Sequence, residues 1–262
     1  MRKYKFFQTI ALLTGIFAFT PVIAATGHVS LQKVKNDLCD KASLQRGARI
    51  YVNYCQGCHS LEHVRYKSMA ADIGILSQEG EVLETIVQKN LNFISDKVTS
   101  PMKAAIPKKD AEEWFGVAPP DLTLTARVRG TNWVYTYLKS FYQDESRPWG
   151  VNNLVFPDVG MPHVLYELQG VQIPHFENIR FESEDGTFHE QKIVERLELA
   201  SPGALSETEY DRAITDLVNF LDYVGEPHKL ERKRIGIWVI LFLIIFTLFA
   251  YLLKREYWKD VH

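Results

Sequence analysis

Five consecutive residues, Cys55-Gln56-Gly57-Cys58-His59, carry the clearest chemistry in this 262-residue chain. Cysteines three positions apart share one turn, where each can form a thioether with a vinyl group of one haem. The adjacent histidine is then carried beneath the iron as proximal ligand. Gln56 and Gly57 let the backbone pass close to a porphyrin edge, and glycine tolerates a tight turn there. A zinc half-site would want a second Cys or His pair at ligand spacing, which the sequence lacks. A thioredoxin-like dithiol would want a βαβ setting and has no use for His59. The motif occurs once, so one covalent haem c is expected, with Cys55, Cys58 and His59 holding it. The third cysteine, Cys39, makes the count odd, which argues against a disulfide framework. It reads as a free or buried thiol.

The sixth iron ligand decides whether such an iron carries electrons or binds small molecules. Beyond Met1 the methionines are Met69, Met102 and Met161. Met69 follows His59 too closely to reach the opposite haem face. Met102 reads as core filling. Met161 sits between Gly160 and Pro162, a loop with backbone freedom on one side and stiffness on the other. A soft thioether held on that loop suits iron and raises its potential, so Met161 is favoured. Met102, His63, His163 and His175 stay as alternatives.

Several helices must position these groups. Residues 43–54 have Leu44, Ala48, Tyr51 and Val52 on one helical face, leading into the haem motif. Residues 81–93 and the aromatic-rich 132–142 read as two more helices. Ser206 and Glu209 form a capping box that opens a helix with Tyr210, Ala213, Ile214, Leu217, Phe220, Leu221 and Val224 on its apolar face. Gly225 ends it and Pro227 prevents continuation. Between 178 and 199 alternation around Glu184-Asp185-Gly186-Thr187 predicts a β-hairpin insertion. The expected fold is mainly α: a c-type cytochrome domain with loop and β-hairpin insertions, plus one C-terminal transmembrane helix.

Both chain ends are apolar for different reasons. Arg2, Lys3 and Lys5 precede an apolar stretch over 6–23 that closes on Ala24 and Ala25, the pattern of a secretory signal peptide. Residues 235–253 are uncharged and match the ~20 residues a helix needs to cross a bilayer. Trp238, Tyr251, Tyr257 and Trp258 stand at or near its ends, as interfacial aromatics do. Basic residues flank the span on both sides (Arg232, Lys233, Arg234; Lys254, Arg255, Lys259), so the positive-inside rule gives no orientation. The signal peptide gives one instead: 1–24 is removed, 25–234 forms a periplasmic domain, 235–253 spans, and 254–262 is a short cytoplasmic tail. The exported stretch is mildly acidic, which disfavours nucleic acid and suits a basic soluble partner.

Four stretches, in order, resemble the cytochrome c1 family, the haem c subunits of cytochrome bc1 complexes. They are SLQRGARIYVNYCQGCHSLEHVRY, DAEEWFGVAPPDLTLTARVRG, SRPWGVNNLVFPDVGMPH and YLLKREYWKDVH, and the likeness runs from about Ser43 to His262. The resemblance implies thioethers at Cys55 and Cys58, with His59 and Met161 as axial ligands. It also implies Pro119 and Pro120 against the haem, and Arg127 or Arg129 on a propionate. The segment after those arginines is shorter than in mitochondrial members, which leaves open which one serves. The family's function would be to pass one electron from the Rieske iron–sulfur protein to a soluble cytochrome c during quinol oxidation. The chain would be the electron-transfer subunit of quinol–cytochrome c reductase, making no bonds itself. Cytochrome b, the Rieske protein and the lipid bilayer would be its neighbours, in a bacterial inner membrane. The alternative is another membrane-anchored mono-haem donor subunit of an oxidase or reductase, which would lack the WFGVAPPDL and VNNLVFPDVGMPH blocks. A haem-based gas sensor would need an output domain, and only nine residues follow the span.

Overall fold

The computed structural model describes residues 29–182 and 188–259. The expected signal peptide, the expected turn at 184–187 and the last residues of the expected tail lie outside that range.

Asp40 opens helix α1 (Lys41–Ile50), its carboxylate accepting from the Ser43 amide at 2.9 Å. That bond satisfies an amide which has no carbonyl partner in the first turn. The periodicity suggested a helix as far as Tyr54, but after Ile50 the coil widens into a π-helical turn, Tyr51–Cys55. The Gln56 amide donates to the Tyr51 carbonyl, five residues back, at 2.9 Å. A π turn adds one residue per turn and re-aims whatever follows it. Here the haem motif follows.

Strand β1 (Leu61–Arg65) and helix α2 (Tyr66–Asp72) come next, then α3 (Glu84–Asn90) and the two-residue β2 (Pro101–Met102), which pairs antiparallel with β1. The helix expected over 81–93 is therefore shorter. Gly80 turns at φ 83°, Val82 bridges to Leu76, and Phe93 stands exposed. Helices α4 (Lys108–Phe115), α5 (Thr125–Arg129) and α6 (Thr131–Lys139) follow. The aromatic run expected to be helical over 132–142 splits at Ser140, and Phe141–Gln143 forms β3, pairing antiparallel with β4 (Val151–Asn153). Buried Asn153, distant in sequence, donates to the Tyr137 carbonyl at 2.8 Å, an acceptor that also takes the Ser140 amide at 3.2 Å where the helix ends.

After α7 (Tyr166–Gln169) the chain makes a long hairpin of β5 (Gly170–Glu182) and β6 (Phe188–Pro202), antiparallel with bulges after Val171 and His175. The hairpin is longer than the insertion expected between 178 and 199. Its base is pinched: a Cβ on Gly170 would lie 2.1 Å from the Ser201 carbonyl oxygen and 2.6 Å from the Gly203 nitrogen. Helix α8 (Glu207–Gly225) then starts at the expected capping box. The Ser206 amide donates to Glu209 at 3.0 Å, and the Glu209 amide donates to the Ser206 hydroxyl at 3.4 Å.

The core forms where α1 crosses α8. Gly47 permits the close approach, since a Cβ there would fall 2.1 Å from the Asp216 carbonyl oxygen and 2.6 Å from the Phe220 Cβ. Leu44, Ala48, Leu217 and Phe220 are fully buried around the crossing. Polar groups register it. Arg46 donates to both Asp216 oxygens at 2.6 and 2.9 Å, and Asn219 donates to Ser43 Oγ at 3.0 Å and the Asp37 carbonyl at 2.7 Å.

The last helix, α9 (Lys229–Tyr257), has 29 residues, a mean hydropathy of 2.7 in its most apolar stretch, and no buried residue. Its length and composition fit a membrane anchor. Lys229 donates to both oxygens of the buried Asp222 at 2.8 Å, and Arg232 pairs with Glu226, so its first turn is tied to the end of α8.

Candidate haem site

The π turn delivers Cys55, Cys58 and His59 to one side of a cavity of about 580 Å³. That volume falls within the range of about 300–1,000 Å³ usual for cofactor sites. The motif closes as a tight coil: the Cys58 and His59 amides both donate to the Cys55 carbonyl, at 3.1 and 2.9 Å. Tyr51 clamps it by donating to the His59 carbonyl at 2.6 Å. Gln56 points the other way and donates to the Tyr66 hydroxyl at 2.5 Å and the Lys103 carbonyl at 3.2 Å.

His59 has the geometry of a ligand. Its Nδ1 lies 2.7 Å from the Pro120 carbonyl oxygen, an acceptor only, so Nδ1 carries the proton and Nε2 keeps its lone pair. Burial lowers its pKa below the ordinary histidine value, opposed by the Pro120 bond, so the ring stays neutral and able to bind metal. Burial also pushes the Cys55 thiol up to about 12 and raises that of Cys58. Those shifts oppose the thiolate that a disulfide-exchange Cys-x-x-Cys depends on. Among the described residues no three His, Cys, Asp or Glu side chains gather as a metal site. The lining would suit a haem: two free thiols three positions apart that could attach it and a neutral imidazole that could hold its iron.

Met161 lines the same cavity, carried there by the loop after β4. Two asparagines shape that loop. Asn153 Oδ1 accepts from the Val155 and Phe156 amides at 2.9 and 3.2 Å, and Asn152 Oδ1 accepts from the Asp158 amide at 2.9 Å. The left-handed residue of the loop is Asp158, at φ 62°, and not Gly160, whose φ is not positive. The competing donors lie elsewhere. Met69 and Met102 are fully buried outside the cavity wall. His63 is exposed on β1, His163 stacks on Phe141 with centroids 4.9 Å apart, and His175 bonds Glu198 on the hairpin at 2.6 Å.

Pro119 and Pro120 lie on the cavity wall, in the segment after Gly116 closes α4 at φ 75°. The two arginines separate. Arg129 lines the cavity with its guanidinium 5.1 Å from the Trp133 ring centre. Arg127 instead lies against the end of α8, its Cβ 3.3 Å from where a Gly225 Cβ would stand. Three contributors escaped the sequence reading, namely Trp133, Tyr137 and Asn153. The first two stand in the aromatic-rich run read as helix over 132–142, and Trp133 stacks on Tyr137 at 5.1 Å within the cavity wall. The Tyr137 hydroxyl donates to Met161 Sδ at 3.3 Å, and burial raises its pKa so the phenol keeps its proton.

A cavity lined by one histidine, one methionine and two free cysteines three positions apart, in a mainly helical domain ending in an apolar helix, has the make-up of a mono-haem c-type cytochrome. A match described as Cytochrome C1 family covers residues 32–171 and 204–261, and the chain belongs to that family. It is 49% identical over 247 residues to cytochrome c1 of Allochromatium vinosum, covering 94% of this chain and 96% of that one. It is 26% identical to cytochrome c1 of Blastochloris viridis, covering 99% and 97%. A Nitrosomonas europaea protein named ammonia monooxygenase gamma subunit is 42% identical over the whole of both chains, a name that belongs to that protein. As a family member the chain has the role of the haem c subunit in a cytochrome bc1 complex, with one covalently bound haem c, and is a redox subunit of an oxidoreductase.

Proposed function

We propose that the chain accepts one electron from a Rieske iron–sulfur protein and gives it to a soluble cytochrome c on the periplasmic side of a bacterial inner membrane. In this reading Cys55 and Cys58 form the thioethers, His59 and Met161 are the axial ligands, and Pro119 and Pro120 pack against the macrocycle. When bound, haem c supplies an iron centre that cycles by one electron. The residues do the rest. Tyr51 and Pro120 orient His59, Asn152 and Asn153 hold the Met161 loop, and apolar side chains of α6 and α8 exclude water from the buried side. Low polarity and a thioether ligand both favour the reduced state and so raise the potential.

Arg129 is the propionate partner in this reading, through a charge-assisted contact. Its place on the cavity wall supports the choice over Arg127. Residues 25–234 make the exported domain, 235–253 the span and 254–262 the inside tail, after removal of 1–24. The acidic excess of the exported stretch suits a basic acceptor. Cytochrome b is the membrane neighbour of α9.

One observation carries the ligand assignment. Segments a hundred residues apart bring His59 and Met161 into one cavity, while among the described residues no other methionine or histidine lines it. The test is a reduced-minus-oxidised optical spectrum of membranes from cells with a haem c maturation system, wild type beside Met161→Leu. A c-type haem that survives denaturation, with a sharply lower potential in the variant, is expected. An unchanged potential would remove Met161 from the iron. Failure to attach haem would remove the electron carrier itself.

A further inference from the structure

We propose that Tyr137 is a positioning residue for the electron-transfer couple, donating its hydroxyl to the Met161 thioether and thereby raising the potential. The proposal rests on Met161 being the sixth ligand.

A buried phenol ordinarily finds an oxygen acceptor, because sulfur accepts weakly. Among the described residues the Tyr137 hydroxyl has one partner, Met161 Sδ at 3.3 Å. Packing keeps it there. Trp133 stacks on one face of the ring, 5.1 Å between centroids at 9°, and Phe141 meets it edge-on at 5.2 Å and 71°. The same asparagine holds both ends of the contact. Asn153 Nδ2 binds the Tyr137 carbonyl at 2.8 Å, and its Oδ1 takes the Val155 and Phe156 amides that begin the Met161 loop. Asn153 is fully buried and so ties α6 to the loop away from solvent. The hydroxyl-to-sulfur distance is thus set by packing and two backbone attachments.

A thioether sulfur has two lone pairs. When one is directed at iron, the other remains for Tyr137. Donation to it withdraws electron density from the sulfur and weakens its bond to oxidised iron more than to reduced iron. Tyr137 thereby favours the reduced state. Removing its oxygen has two linked effects: the potential falls, and the sulfur binds oxidised iron more firmly. A residue that merely filled space would produce neither on losing one atom.

The experiment uses the full-length haem-loaded protein in detergent, as wild type, Tyr137→Phe and Met161→Leu. The readouts are a spectroelectrochemical potential, the long-wavelength sulfur-to-iron charge-transfer band, and titration of the oxidised protein with imidazole, which competes with the sulfur. Tyr137→Phe is expected to keep the band, to have a lower potential, and to bind imidazole roughly two- to tenfold more weakly, the worth of one modest hydrogen bond. An unchanged potential overturns the proposal. So does a shifted potential with unchanged or tighter imidazole binding, which would place the phenol's effect elsewhere than on the sulfur. Met161→Leu reports separately: if the band survives in that variant, the ligand reading has failed and the proposal falls with it, whereas a band lost there and an unchanged potential in Tyr137→Phe overturn the proposal alone.

Discussion

Arg127 and Arg129 stand two positions apart, yet one meets the end of α8 and the other the cavity. A cation beside the haem favours the added electron, so Arg129→Leu is expected to lower the potential. Arg127→Leu should leave the potential in place. Its effect falls on Glu226, whose carboxyl is held below the usual range first by the Arg232 bond and further by Arg127. Potentials of the two variants measured side by side check the distinction, and equal shifts would contradict it. At this scale the sequence was half legible. The Cys-x-x-Cys-His spacing is self-contained, because a single turn brings its parts together. Nothing local separates Arg127 from Arg129, and nothing local tells Tyr137 from the other aromatics of α6. Their roles depend on what α5 and α6 pack against.

Among the elements, the crossing of α1 with α8 tolerates no side chain at Gly47. Gly47→Ala forces the helices apart, and overpacking of this kind costs about 1–3 kcal/mol. A melting temperature lower by roughly 5 °C, with the haem spectrum retained, is the expected result. The start of α8 gives a pH test. Bonds from Ser206 lower the Glu209 pKa below its ordinary value. A carboxylate depressed by folding contributes stability above its unfolded pKa of about 4.3, and that contribution is lost as pH falls through the folded value. Glu209→Gln should therefore flatten the acid limb of a melting-temperature profile, and Ser206→Ala should do the same. The capping box was readable because its partners are three residues apart. The ends of the helices expected over 81–93 and 132–142 were not. Asn153 of β4 bonds the Tyr137 carbonyl at the end of α6, and no window along α6 contains it.

For the whole molecule, the family match breaks at 171 and resumes at 204, and the long hairpin occupies the gap. Gly170 and Gly203 already lie against each other at its base. Excision of residues 173–199 with a short turn in their place is thus expected to preserve the haem spectrum and potential. Loss of the c-type spectrum in that variant, measured on expressed membranes, would show that the hairpin supports the haem domain. Its presence was legible from alternation around Glu184 and Gly186, but its full length was not. The two bulges that shift its register follow from cross-strand fit rather than from alternation.

The sequence alone determined the covalent haem motif, the cap of α8, the apolar C-terminal helix and the mainly helical class. Each depends on neighbours within one or two turns, or on the unbroken composition of one segment. The tertiary structure alone decided which methionine and which arginine reach the cavity, where α1 widens to aim the motif, and that Asn153 joins Tyr137 to the Met161 loop. Those outcomes are set by side chains ten to a hundred residues apart competing for the same space and hydrogen bonds, and no local pattern records that competition.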